Sequence, residues 1–444
     1  MRPTCAAPPT AHDPHIRSTH ASAPSPSFVA HGGRPPSERR SFSVLAALPF
    51  QPRRPSPRGS GRDPCRRIFI LMIAVVWKIC SNVSMSTKFR SPLHEMASTT
   101  PTDFWSDSCA VGELEYALEH GAVGATSNPT IVASVLRTEF GDWKAHVEQL
   151  IQAQPTWTEA HIAWELMEEM SVKAARLLTP VFEQTGGKKG WLSIQTNAEF
   201  HKSPHALVSQ ALRFASLAPN LQVKIPATAA GIQAIEEVTA EGVNVNATVC
   251  FTAPQAVAVA EAVERGLKRR EAAGHSTANM VPVCTIMVGR LDDWLKVVCE
   301  RQGKVPTPGT LDWAGIAVFK NALKTFKQSG YRTRLLAAAY RHHLHWSELV
   351  GGDVILTIPP EWQRKFNAST IPVIPRIDNP VPQQAMTELS EQLEDFRRAY
   401  DPRGMQVAEF DGFGATRRTL RTFLDSYYGL LSFIRDLRIP NPDT

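Results

Sequence analysis

The sequence has no C-x-x-C pair, no G-x-G-x-x-G or G-x-x-x-x-G-K-[ST] loop, and no apolar run long enough to cross a bilayer. Its seven cysteines, Cys5, Cys65, Cys80, Cys109, Cys250, Cys284 and Cys299, are odd in number and scattered, which argues against a disulfide framework and a zinc site and for a reducing compartment. Without a glycine-rich phosphate loop, a nucleotide-binding sheet is disfavoured. The longest apolar stretch, Ile68 to Trp77, is ten residues, against about 20 for a membrane-spanning helix, so no stable membrane insertion is expected.

Acidic residues are scarce at one end only. Residues 1–98 hold 14 Lys and Arg against 4 Asp and Glu, and residues 99–444 hold 34 against 38. The formal charge of +6 therefore belongs to the leader, and the body carries no basic excess that would call for nucleic acid. Within the leader, residues 1–67 are crowded with Pro, Ser and Arg, a composition expected to stay disordered. It reads either as a transit segment or as an upstream stretch taken as coding, with Met85 and Met96 as alternative starts. The expected compartment is the cytoplasm, or a plastid or other organelle if the leader is a transit segment.

From Phe104 onward, short apolar strands alternate with segments of helical period, the pattern of βαβ units. Eight strands are expected: Phe104–Asp107, a second ending in Gly124-Ala-Thr-Ser-Asn-Pro129, Trp191–Thr196, Leu221–Ile225, Val243–Cys250, Val281–Val288, Leu335–Ala339 and Val354–Ile358. The helices between them include His161–Leu178 and segments near 204–217, 228–240, 254–273 and 313–328. The fold class is thus α/β, a (β/α)8 barrel over residues 99–380, preceded by the leader (1–98). It is followed by a C-terminal helical extension (381–444) packed on the barrel, with helices Gln383–Tyr400 and Thr416–Leu437.

Catalytic groups of such barrels gather where strands end. The polar residues there are Asp107, Asn128, Gln195, Lys224, Asn246, Thr248, Thr285 and Arg290. Alternation puts Asn246 with Thr248, and Ser193 with Gln195, on common faces. Lys224 lies in Leu221-Gln-Val-Lys-Ile-Pro226, a strand without a solvent face, where burial lowers an amine's pKa and frees it for attack on a ketone. Alone, it also reads as a strand-end cation snorkelling to the rim.

Four motifs in order change the balance. Ala125-Thr-Ser-Asn-Pro-Thr130, Val223-Lys-Ile-Pro-Ala-Thr228 with Gly231, Gly242-Val-Asn-Val-Asn-Ala-Thr248 and Val288-Gly-Arg290 together resemble the transaldolase family over residues 103–360. The resemblance implies a transferase that moves a dihydroxyacetone unit between sugar phosphates, sedoheptulose 7-phosphate and glyceraldehyde 3-phosphate being the family's pair in the pentose phosphate pathway. It also implies a Schiff base on Lys224, proton transfer by Asp107, water positioning by Thr248, and substrate contacts from Thr126, Asn128, Asn246 and Thr285. Arg290 and Arg341 are then the phosphate arginines. No cofactor or metal is implied, the partners are small sugar phosphates, and a homodimer is left open.

Two positions depart from the family besides Thr285, which stands where transaldolases have serine and keeps the hydroxyl. Gln195 stands where transaldolases carry glutamate, as in fructose-6-phosphate aldolases, and Met287 stands where phenylalanine or tyrosine is expected. Glu199 is the nearest alternative acid, though in the loop. The competing readings are a ketose-phosphate aldolase without transfer and an inactive sugar-phosphate-binding barrel. His342, His343 and His345 lack the spacing of a helical metal pair. Asp411-Gly-Phe-Gly414 reads as a turn before the last helix, where Tyr427 and Tyr428 pack it down or close over substrate.

Overall fold

The computed structural model describes residues 89–443. Residues 1–88, with the leader's expected disorder, the run Ile68–Trp77, Met85 and the first three cysteines, lie outside the described residues.

Eight parallel strands close on themselves in sequence order: β1 Asp103–Ser106, β2 Gly124–Thr126, β3 Trp191–Gln195, β4 Leu221–Pro226, β5 Val245–Cys250, β6 Val283–Ile286, β7 Arg334–Ala337 and β8 Ile355–Ile358. Pairing of β1 with β8, Asp103 opposite Ile355 through Ser106 opposite Ile358, seals the barrel. Outward residues such as Phe104, Leu192, Val223 and Ala247 join the main core beneath the surrounding helices.

The interior divides along the strands. Trp105, Trp191, Val283, Leu336 and Ile355 form a separate apolar cluster toward the amino ends. Two or four residues later, on or just past the same strands, stand Asp107, Ser193, Gln195, Thr285 and Thr357, which period-two alternation turns the same way. Gly124 makes room for this plug, since a Cβ there would lie 2.4 Å from the Trp105 indole. Below, Asp103 binds Lys189 and Arg334, each at 2.7 Å. The carboxyl end is thus polar above an apolar floor.

Several boundaries differ from the sequence reading. The fold begins before Asp103, in a helix Pro92–Thr99 with Ser91 as its cap and Leu93 and Met96 fully buried. The long helix runs Glu159–Gln184, and a helix Phe140–Ala153 precedes it. Strand β6 stops at Ile286, because Met287 turns to φ −86°, ψ 73° and starts the helix Val288–Gln302. The single helix expected over Gln383–Tyr400 is two, Gln383–Gln392 and Glu394–Tyr400, broken where buried Leu393 becomes extended. The last helix, Gly414–Arg438, packs on the barrel's carboxyl end. Among the described residues no helix is long and apolar enough to cross a membrane.

Candidate active site

Lys224 comes from β4, beside Gln195 of β3 and Asn246 of β5 in register. Its residue is only 5% exposed, and its Nζ has one long hydrogen bond, 3.4 Å to the Ser127 carbonyl. Burial pulls the amine below its ordinary pKa, while Asp107 opposes this. Asp107, just past β1, is pushed up by burial, against the pull of Lys224, the Thr126 hydroxyl and Arg290. Thr126 donates to Asp107 at 2.6 Å and shares a 2.9 Å hydrogen bond with Thr357 of β8.

Across the barrel a directed chain fixes the amide of Asn246. Thr285 donates to its oxygen at 2.6 Å, and its nitrogen donates to Ser193 at 3.0 Å. Ser193 in turn donates to Gln222, which donates to the Val281 carbonyl. With the oxygen engaged by Thr285, Asn246 retains one amide proton to offer a ligand. Asn128 is used differently. Its side-chain oxygen caps the helix Pro129–Thr138 by accepting from Thr130 and Ile131, which leaves its amide NH2 as the outward donor.

Gln195 is 3% exposed, and its side-chain oxygen has no partner. A buried lone acceptor is costly, and a substrate hydroxyl or water would satisfy it. Glu199 is exposed and bonded to Asn197 and Tyr428, in a short turn outside the barrel, so it does not stand in for the missing acid. Met287 is buried at the end of β6.

Thr248, also buried, precedes Val249, which adopts φ 51°, an unfavourable backbone for a β-branched residue. The strain is held by Gln255, whose amide donates to the carbonyls of Val249 and Ala227 and accepts from Phe251 N–H. Gln255 was missed as a functional neighbour, although Thr252-Ala-Pro-Gln255 carries a capping-box spacing that marks a fixed helix start.

The guanidinium of Arg290 makes no hydrogen bond to any described residue and lies 5.4 Å over the ring of Phe423 in the last helix. Arg341 is held by Asp293 at 2.8 and 2.9 Å. Behind it, His345 accepts from the Arg341 backbone N–H through Nδ1, so its Nε2 carries the proton that it donates to Asp292 at 2.8 Å. Asp292, His342 and His345 lie close enough for a metal triad, but with that tautomer Nε2 has no lone pair to offer. The arrangement instead braces the loop after β7.

A family described as Transaldolase/Fructose-6-phosphate aldolase matches residues 104–408. The chain belongs to that family. It is 28% identical to a transaldolase of Thiobacillus denitrificans over 341 residues, covering 71% of this chain and 90% of that protein. To a transaldolase of Neisseria gonorrhoeae it is 29% identical over 271 residues, 57% and 76% of the two chains. A transaldolase of Trichodesmium erythraeum is 27% identical over 280 residues, 56% and 73%. The match to this family spans all eight strands except the first residue of β1, and the C-terminal helix lies beyond it.

Proposed function

We propose that this chain is a transaldolase acting on sugar phosphates, with Lys224 as its nucleophile. The observation that carries the reading is a buried amine with one weak hydrogen bond, facing Asp107 in a barrel otherwise lined by amides and hydroxyls. A neutral Lys224 adds to the C2 carbonyl of a ketose phosphate, and loss of water gives the imine. Asp107 takes the C4 hydroxyl proton as the C3–C4 bond breaks, its electron pair passing into the iminium. The aldose phosphate departs and a three-carbon enamine stays bound. Attack of that enamine on the aldehyde of an acceptor re-forms a C–C bond, Asp107 returns the proton, and hydrolysis frees Lys224 and the new ketose phosphate.

Asn246 and Asn128 supply amide donors for the dihydroxyacetone hydroxyls, with Thr126 and Thr285 orienting Asp107 and Asn246. Gln195 and Thr248 hold the water of imine formation. An amide orients water without titrating, so Gln195 positions that water and does not itself carry the proton. Arg290 and Arg341 receive the phosphate. Borohydride trapping with fructose 6-phosphate, followed by peptide mapping, tests the assignment: a stable adduct on Lys224 is expected, and an adduct elsewhere, or none, refutes it.

A further inference from the structure

The helix Gly414–Arg438 brings a third guanidinium to the two supplied after β6 and β7. Arg341 spends Nε and Nη2 on one carboxylate oxygen of Asp293. Arg418, in the first turns of the C-terminal helix, places Nη1 3.4 Å from the main-chain oxygen of the same residue. Arg290 is three residues before Asp293 on the helix Val288–Gln302, and its ring contact, Phe423, is five residues after Arg418. Three arginines from three elements therefore border about one helical turn, a span of ~5 Å. Asp293 is the one described carboxylate that bonds any of them.

Burial and then Arg341 weigh against the charge of Arg290, with Arg418 adding to the effect and Asp293 and Asp107 opposing it. Like charges so grouped are relieved by an anion, and guanidinium forks suit phosphate oxygens. We infer that Arg418 is a third phosphate-binding arm, so that the C-terminal helix as well as the barrel loops selects phosphorylated substrates. A phosphate monoester offers three acceptor oxygens, and its charge is about −1.5 to −2 near neutral pH. The exposed side chain of Arg418 is free to swing from the Asp293 carbonyl onto such a group. The inference rests on the sugar-phosphate reading of the site.

The test has two arms on the full chain. Inorganic phosphate should raise the melting temperature of the parent protein, less so in Arg290→Ala and Arg418→Ala, with Arg418→Lys intermediate. Arg417→Ala, on the same helical turn, should match the parent. In turnover, Arg418→Ala should cut the preference for fructose 6-phosphate over unphosphorylated fructose about tenfold, chiefly through KM. A phosphate shift that needs Arg290 but not Arg418, or an equal loss on both substrates, overturns the arm and leaves the transaldolase reading standing. If the parent forms no Lys224 adduct yet its phosphate shift depends on Arg418, the enzyme reading fails and the anion site stands.

Discussion

At the scale of single residues, the proposed mechanism sets two ionisable groups against each other. Burial drives Lys224 down and Asp107 up, and each partly restores the other's charge. Replacing Asp107 by Asn removes the charge that raises Lys224, so the amine's pKa falls further. The rate of borohydride-trappable imine formation, which climbs as the amine deprotonates, should then reach its plateau at lower pH than in the parent. Cleavage of the C3–C4 bond should fall by about 100-fold or more, the scale of a lost general base. A pH–rate profile of trapping beside a product assay checks both; an unshifted limb, or equal loss of trapping and cleavage, contradicts the pairing.

At the scale of elements, the C-terminal helix decides how the mouth of the barrel is finished. It meets the helix after β2 through Thr130 and Ser426, the turn after β3 through Glu199 and Tyr428, and Gln255 through Thr416. Its start depends on Gly414, where a Cβ would fall 1.9 Å from the Trp294 ring. Gly414→Ala should lift that end of the helix, lower stability by about 1–3 kcal/mol, the usual cost of overpacking, and raise KM for phosphorylated substrate. Denaturant titration and steady-state kinetics would show it; a variant with parental stability would mean that Trp294 yields freely. This element also marks where sequence reading stops. The strands were legible because alternation and helical period repeat eight times, and Lys224, Asp107, Asn246 and Gln195 stood out as polar residues at apolar strand ends. The Thr285–Asn246–Ser193–Gln222 chain was not legible as a network, since its members come from four strands whose register only closure fixes. Arg418 gave no local signal, as it shares an exposed basic turn with Arg417. The break at Leu393 likewise obeys tertiary packing, with the buried leucine overriding a favourable helical run.

At the scale of the whole molecule, closure of the barrel at β1 and β8 is backed by the helix Pro92–Thr99, which the composition of the leader concealed. Ser91 caps it by accepting from His94, Pro92 opens it, and Leu93 and Met96 are the two residues it buries. Met96 receives the Trp346 indole N–H at 3.2 Å, and Leu93 N–H reaches Asn367 in the helix after β8. The helix therefore ties the entry to β1 to segments that follow β7 and β8. A chain starting at Met85 keeps this tie, whereas one starting at Ala97 loses the cap, Leu93 and Met96 together. Removing a single buried leucine or methionine side chain costs about 2–5 kcal/mol. The shorter chain should therefore be less stable by at least about 3 kcal/mol, with β1 and Asp107 the first elements to loosen. Denaturant midpoints of the two chains, with hydrogen exchange across residues 103–107, measure this directly. Equal midpoints would mean that the barrel closes without the helix, and that Asp107 owes its placement to the β1–β8 pairing alone.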